Sequence, residues 1–259
     1  MKRLALVLAA CTALVSTATP PAGAAPEQDH AMGSQIRKHE GGAPVRVKPK
    51  KDPAILATVP GIDVSGHQGT VNWATYWGQG KKFAYVKATE GTGYTNPYFA
   101  QQYNGSYNVG MIRGAYHFAL PDRSTGAAQA TYLLAHGGGW SRDGRTLPAA
   151  LDMEYNPYGA TCYGLSKASM TTWVRAFSDT YHSRTGVHPV IYTSTSWWNQ
   201  CVGASFRTTN PLWVARYATA PGALPYDWGT YTFWQYSSTP IDQNQFNGAY
   251  DRLQALANG

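Results

Sequence analysis

The first 58 residues contain no phenylalanine, tryptophan or tyrosine, although the chain of 259 residues has 34 aromatic residues in all. No segment approaches the roughly 20 consecutive apolar residues that a transmembrane helix needs. The seven histidines are scattered and form no H-E-x-x-H sequence, and no Cys-x-x-Cys pair is present. We therefore place the folded unit after residue 58, and we expect neither a metal nor another cofactor in it.

The amino terminus has the pattern of a secretory signal peptide. Lys2 and Arg3 precede the apolar stretch from Leu4 to Val15, and small residues follow at positions 22–24. Signal peptidases cleave after small residues of this kind. Residues 1–24 are therefore predicted to be removed, and the mature protein is expected to be extracellular and not associated with a membrane.

Residues 25–58 are rich in lysine, arginine, proline, glycine and glutamine and have few bulky apolar side chains. Such a segment buries too little surface to offset its ordering entropy, so it is predicted to be a flexible linker or a pro-segment. The domain that follows, residues 59–259, has 13 basic and 10 acidic residues. This modest surplus argues against a nucleic-acid surface and fits either attraction to an anionic cell-wall polymer or simple solubility.

Two cysteines, Cys162 and Cys201, remain once the signal peptide is removed. In an exported protein such a pair is expected to be oxidised to a disulfide. A nucleophilic cysteine is the alternative, but neither residue lies in a sequence known for such sites, and export disfavours a free thiol.

Apolar strand-like runs alternate with helix-compatible segments through the first two thirds of the domain. The runs are 61–64, 83–88, 112–118, 147–154, 189–193, 212–217 and 231–236, and the helical segments are 96–109, 125–137 and 166–184. Later connections are short and rich in proline and glycine. The alternation predicts an α/β fold, an irregular parallel (β/α) barrel with some helices missing. An open doubly wound sheet has less support, because no glycine-rich nucleotide turn follows the first run.

An Asp-x-Glu pair stands at the end of the fourth run. Alternate side chains on a strand share a face, so Asp152 and Glu154 are expected to point the same way. Two carboxylates about 6.6 Å apart along a strand can couple their ionisation, as acid catalysis at a sugar requires. The pair suggests a glycoside hydrolase, whereas two solvated acids on an edge strand are the alternative for the pair taken alone.

Other polar and aromatic residues follow the ends of predicted strands, where a barrel gathers its active site. Asp63 ends the first strand, and closure would bring Asp242 beside it. Lys87 and Glu90 fit an internal ion pair as well as a cleft role and are not assigned to catalysis. Acids together with aromatic rings are typical of a carbohydrate cleft. The residues expected to bind substrate are Tyr116, His117, Tyr192, Trp213, Tyr217, Trp234 and Gln235.

Five motifs occur in order at barrel spacing, and together they resemble those of glycoside hydrolase family 25, the Chalaropsis-type lysozymes. They are Gly61-Ile62-Asp63-Val64-Ser65, Ala84 to Gly91, Gly114-Ala115-Tyr116-His117-Phe118, Leu151-Asp152-Met153-Glu154 and Phe233-Trp234-Gln235-Tyr236. The resemblance implies a secreted N-acetylmuramidase that hydrolyses the β-1,4 bond between N-acetylmuramic acid and N-acetylglucosamine in peptidoglycan. We expect it to act as a monomer. After Ser65, many relatives carry His-Trp where this chain has Gly66-His67.

Carried over to this chain, the family's site makes Glu154 the general acid and Asp152 the stabiliser of the charged sugar or a base. Asp63 and Asp242 would bind substrate or position Asp152. Two routes stay open, participation of the substrate's acetamido group and inversion by a water. Two other functions also stay open: a peptidoglycan-binding barrel without hydrolysis, and a chitinase-like N-acetylglucosaminidase. Chitinase-like enzymes normally carry further aspartates upstream, where this chain has Pro148 and Ala150.

Overall fold

The structure is a computed structural model that describes residues 28–41 and 57–259. The predicted signal peptide, residues 1–24, lies outside the described residues, as do residues 25–27 and 42–56 of the predicted linker. In the described ranges, no helix is both long and apolar enough to cross a bilayer.

Eight strands close into the predicted barrel, and seven of them correspond to the predicted runs. The chain order of strands is β1 Val59–Val64, β2 Phe83–Glu90, β3 Tyr94–Thr95, β4 Ile112–Phe118, β5 Ala150–Asp152, β6 Val190–Thr193, β7 Leu212–Ala215, β8 Phe233–Ser237 and β9 Gln243–Phe246. Strands β1, β2 and β4 to β8 follow one another in parallel, and the pairing of β1 with β2 completes the ring. Strand β9 fills the gap between β8 and β1 and runs antiparallel to both. The short β3 only forms a hairpin with β2.

Helices surround this barrel incompletely. They are α1 Ser34–Glu40, α2 Trp73–Gly78, α3 Phe99–Asn108, α4 Gly126–Ala135, α5 Lys167–Thr185, α6 Thr195–Cys201 and α7 Tyr250–Ala257. The connections from β7 to β8 and from β8 to β9 contain no helix. The predicted irregular barrel with missing helices is therefore confirmed.

The longest helix, α5, follows directly from its sequence. The side chain of Ser166 caps its first turn by accepting from the N–H of Ser169, and Gly186 ends it at φ 82°. A residue in this left-handed conformation commonly terminates helices, and glycine adopts it without steric cost. Five large side chains at three- and four-residue spacing form a buried stripe on one face, as predicted. They are Met170, Trp173, Val174, Phe177 and Tyr181.

Aromatic rings fill the barrel interior. Phe233 lies 5.2 Å from Phe83, 5.6 Å from Tyr85 and 5.5 Å from Trp213 between ring centroids. All four side chains are buried. The tilted and edge-to-face arrangements are those that aromatic pairs prefer, so one end of the barrel is a solid core and not a channel.

Two expectations about strands need correction. The fourth predicted run, 147–154, gives only the three-residue β5, and Glu154 lies beyond its end. Strand β9 was not predicted, because its sequence Gln-Asn-Gln-Phe has the polarity of a loop. It is a strand because the gap between β8 and β1 offers hydrogen-bonding partners on both edges.

Residues 28–41, called here the N-terminal segment, are ordered against the barrel, although they fall in the stretch predicted to be a flexible linker or a pro-segment. The segment contains α1 and packs against the barrel with Met32 and Ile36 each only 1% exposed. Both side chains belong to the main hydrophobic core. Burying a methionine or isoleucine contributes about 1.5–3 kcal/mol, so a polar segment can order against a surface that its neighbours supply.

The predicted disulfide is present between Cys162 and Cys201, which are 39 residues apart in the sequence. We expect the double substitution Cys162→Ala/Cys201→Ala to lower the free energy of unfolding by about 4 kcal/mol, because the unfolded chain regains the entropy of a long loop. Calorimetry should show a melting temperature lower by about 10 °C. Reduction of the unaltered protein should give a similar shift, and an unchanged melting temperature in both experiments would contradict this assignment.

Candidate active site

Four acidic residues gather at the carboxyl-terminal mouth of the barrel. Asp63 lies in β1, Asp152 ends β5, Glu154 follows two residues later, and Asp242 precedes β9. We call Asp63, Asp152, Glu154 and Asp242 the acidic cluster. All four are buried, and each interacts electrostatically with at least one of the others. Taking several carboxylates out of water favours their neutral forms, so this cluster retains protons at pH values where an exposed acid would not.

Asp63 is held by two amide side chains. Its Oδ2 accepts from Gln235 Nε2 at 2.9 Å and from Asn244 Nδ2 at 2.6 Å. Burial raises the pKa of Asp63 from 3.8 to about 7, although both amide donors act in the opposite direction. Asn244 is itself oriented, because its Oδ1 accepts from Trp213 Nε1 at 3.1 Å.

Glu154 receives three backbone hydrogen bonds from the N-terminal segment. Its Oε1 accepts from the N–H of Gly33 at 2.7 Å, and its Oε2 accepts from those of Gln35 and Ile36 at 2.8 and 2.9 Å. Burial raises the pKa of Glu154 from 4.5 to about 7, and the three N–H groups oppose that rise. Such donors stabilise the ionised carboxylate. Both oxygens of Glu154 accept hydrogen bonds here, and in this ionised form the group cannot act as an acid.

Asp152 contrasts with Glu154 in its surroundings. Neither of its buried oxygens has a hydrogen bond of normal geometry to any described residue, although its carboxyl interacts with Glu154. Burial and the charge of Glu154 raise the pKa of Asp152 well above its usual value. The two carboxyl groups therefore titrate as a coupled pair, and the three N–H donors of residues 33–36 favour the charge on Glu154 while they are in place.

Asp242 completes the cluster on the side of β9. Burial raises its pKa well above the usual value, and the charge of Asp63 adds to the rise. The guanidinium of Arg37, in the N-terminal segment, acts against it. The segment therefore supplies a positive charge to the cluster as well as N–H donors.

Several of the residues predicted to bind substrate do lie around the cluster. Tyr192 donates from its hydroxyl to Gln235 Oε1 at 2.6 Å, which links it through Gln235 to Asp63. The Tyr217 hydroxyl lies 2.8 Å from the same oxygen. Tyr116 is buried on β4, and its charge interactions reach Asp63 and Asp152. These residues form a polar aromatic wall beside the acids.

The structure does not bring His117, Trp213 and Trp234 to this wall. The His117 ring lies 2.7 Å from Thr89 Oγ1 and 2.8 Å from Gln129 Oε1, behind β4, so it holds strands and α4 together. Burial lowers the pKa of His117 to about 4. Its neighbour Tyr116 faces the mouth because successive side chains on a strand point to opposite faces.

The two tryptophans are structural for different reasons. Trp213 belongs to the aromatic core of the barrel and reaches the acids only through Asn244. Trp234 lies on the face of β8 opposite to Gln235, and its N–H donates to the carbonyl of Arg216 at 2.9 Å. Both tryptophans were predicted to contact substrate, but in the structure they pack within the barrel and support the residues around its mouth.

A second charged group stands at the end of β2. Lys87 Nζ lies 2.6 Å from Glu90 Oε2, so the internal ion pair considered from the sequence is present. The N-terminal segment joins it, with Asp29 Oδ1 3.0 Å from Lys87 Nζ and His30 Nδ1 2.7 Å from Glu90 Oε1. Burial alone would raise the pKa of Glu90, but Lys87 and His30 lower it.

Sequence reasoning missed Asn244 and the whole contribution of residues 28–41. Asn244 gave no signal because it lies in the unpredicted β9. No set of three or more His, Cys, Asp or Glu side chains suited to hold a metal ion occurs within the described ranges. The chemistry that this arrangement can perform is proton transfer between carboxyl groups and a bound substrate.

We expect Asn244→Leu to raise the pKa of Asp63 above about 7, because the carboxylate loses its shorter hydrogen bond. The carboxyl carbon shift of Asp63, followed by NMR against pH, measures this change. The free energy of unfolding should also fall by about 1–3 kcal/mol, since the Trp213 N–H loses its acceptor. The control is Gln243→Leu, which removes a neighbouring amide that contacts Lys81 and not Asp63. An Asp63 titration that is the same in both variants would contradict the role given to Asn244.

Comparison with known proteins places this site in a family. The profile of glycosyl hydrolases family 25 matches residues 62–245. Lysozyme M1 from Streptomyces globisporus is 45% identical over 265 aligned residues, which cover 98% of this chain and 90% of the relative. The N,O-diacetylmuramidase of a Chalaropsis species is 51% identical and aligns over 78% of this chain and 100% of its own.

A solved structure gives the same result for the fold. The muramidase from Acremonium alcalophilum is 55% identical, with a TM-score of 0.76, and the match covers 78% of this chain and 99% of that one. Residues 57–259 are 203 of the 259 residues, also 78%, so the aligned part is as long as this barrel. The profile match and these identities show that the chain belongs to glycosyl hydrolases family 25.

Proposed function

We propose that this protein is a muramidase, a lysozyme that hydrolyses the β-1,4 bond between N-acetylmuramic acid and N-acetylglucosamine in peptidoglycan. The observation that carries the proposal is the buried acidic cluster at the mouth of a family 25 barrel. Relatives of 45% and 51% identity named lysozyme and N,O-diacetylmuramidase support it.

In this proposal Glu154 is the general acid. It protonates the oxygen of the departing sugar, and because burial raises its pKa to about 7, a substantial fraction of this group is protonated at neutral pH. Asp152 stabilises the positive charge that develops on the cleaved sugar, or acts as base on the intermediate. Asp152 and Glu154 interact electrostatically, so when one carboxyl group loses its proton, the other is more easily protonated.

Asp63 and Asp242 position the reacting groups in this scheme. The hydrogen bonds from Gln235 and Asn244 support a fixed orientation of Asp63. Tyr116, Tyr192 and Tyr217 provide hydroxyl groups and ring edges for sugars bound across the mouth. We further propose that the protein acts as a secreted monomer and lyses bacterial cells, as its predicted signal peptide suggests.

Glu154→Gln should reduce turnover by about 10²- to 10⁴-fold, because the amide cannot donate the proton that the leaving oxygen needs. The assay is release of reducing sugar from peptidoglycan by residues 57–259, with circular dichroism as the check on folding. Asp251→Asn is the matched control, since Asp251 is an exposed acid on α7 outside the cluster, and its turnover should be unchanged. Near-full activity of Glu154→Gln would show that another group is the acid.

The identity of the new reducing end separates the candidate functions. Borohydride reduction of the products, followed by acid hydrolysis, should yield the alcohol of muramic acid. Recovery of glucosaminitol would indicate a chitinase-like N-acetylglucosaminidase instead. Binding to peptidoglycan without any new reducing end would indicate a non-catalytic barrel and refute the proposal.

A further inference from the structure

The N-terminal segment crosses the mouth of the barrel from β2 to β6. At its start, Asp29 and His30 pair with Lys87 and Glu90 at the end of β2. In this segment the Met32 N–H lies 3.2 Å from the Tyr116 hydroxyl. The segment is thus held by charged, polar and apolar contacts in succession.

The far end of the segment is held by Glu40. Its Oε1 accepts from the hydroxyl of Tyr155 at 3.0 Å and also from that of Ser194, which follows β6. The ring of His39 stacks on Tyr155 with centroids 4.4 Å apart. Cavities of about 230 and 470 Å³ border the segment, and their walls also include Asp242 and Tyr217 respectively. The segment therefore shares cavity walls with one acid of the cluster and with one tyrosine predicted to bind sugar.

The contacts at the centre are made by the groups assigned to catalysis and sugar binding. Both oxygens of Glu154 are bonded to segment N–H groups, and the carbonyl of Gly33 lies 3.1 Å from the Tyr217 hydroxyl. A sugar oxygen cannot approach Glu154 while these three donors are in place. Because the donors favour the carboxylate, they also oppose the protonated form that acid catalysis needs.

Gly33 allows this close approach. Its φ of 77° lies in the left-handed region, and a Cβ there would be 2.1 Å from the Tyr217 hydroxyl and 2.5 Å from both Gln235 Oε1 and Tyr192 Oη. Gly41 at the end of the segment has a similar φ of 73°, but no atom lies within 4 Å of its Cβ position. The two glycines thus share a positive φ, at which any side chain is strained, but ψ is 0° at Gly33 and −175° at Gly41. Only at Gly33 would a side chain also meet the cleft wall.

We infer that residues 28–41 are a built-in competitive inhibitor, which occupies the substrate cleft of this same chain and must leave it before a glycan strand can bind. The inference rests on the proposed function for the identity of the excluded ligand. The segment is covalently attached, so its effective concentration at the cleft is high and independent of protein concentration. Only the fraction of molecules with an open cleft can bind glycan, which raises the apparent KM and leaves kcat unchanged.

We expect the barrel to fold without the segment. The solved Acremonium muramidase aligns over 99% of its length with 78% of this chain, which is the fraction that residues 57–259 represent. Lysozyme M1, by contrast, aligns with 98% of this chain and so extends into the region before the barrel. Residues 57–259 are therefore a suitable uninhibited reference.

The test compares four proteins on soluble peptidoglycan glycan fragments: residues 25–259, the same chain with Gly33→Val, the same chain with Gly41→Val, and residues 57–259. We expect the apparent KM of residues 25–259 to exceed that of residues 57–259 by at least about tenfold, at equal kcat. Gly33→Val should lower the KM to nearly that of the barrel. Gly41→Val should behave as the unaltered chain. Equal KM values for residues 25–259 and residues 57–259 would overturn the inference, as would equal relief by both valine variants.

Amide hydrogen exchange gives a readout that does not depend on activity. The N–H groups of Gly33, Gln35 and Ile36 should exchange slowly in residues 25–259 and in Gly41→Val, and rapidly in Gly33→Val. Adding glycan fragments to the unaltered chain should accelerate their exchange. Fast exchange without glycan, or exchange that glycan leaves unchanged, would refute the inference. If residues 57–259 cleave no peptidoglycan, the proposed function fails, and these exchange rates still decide whether the segment and a glycan exclude each other.

Discussion

The structure depends on the burial of four carboxyl groups in one mouth of the barrel. Away from water each carboxylate is costly, and four together repel one another, so the cluster persists only with partial protonation and directed hydrogen bonds. Asp63 obtains those bonds from Gln235 and Asn244, whereas Asp152 obtains none of normal geometry among the described residues. Because hydrogen-bond donors are distributed unequally, the four carboxyl groups differ in their tendency to be protonated, as a proton-transfer site requires.

The same constraint explains why the N-terminal segment fits this mouth. A buried carboxylate attracts N–H donors, and residues 33–36 present three of them to Glu154. The segment adds the positive charge of Arg37 near Asp242 and closes the mouth with Met32 and Ile36. An acidic cleft built to bind a polar sugar is thus also a good binding site for a short peptide with free backbone N–H groups.

Most of the barrel could be predicted because its strands carry strong local signals. The run at 112–118 matches β4 residue for residue, and the stripe on α5 is buried as its spacing indicates. Strand β9 could not be predicted, since its residues are polar and its strand pairing comes from two distant neighbours. Asn244 was missed with it. His117 shows a different limit, because strand alternation places it behind the sheet although its position in the sequence adjoins Tyr116.

The sequence by itself determined the fold class, the family motifs, the cysteine pair and the four acids, because each of these is written in local composition and spacing. Tertiary structure alone decided which acid receives hydrogen bonds, which aromatic residues face the mouth, and where residues 28–41 lie. Their composition predicts no independent fold, and that reasoning is sound for the segment in isolation. Its order comes from contacts with β2, β6 and Glu154, residues that are distant in sequence and become neighbours only when the barrel closes.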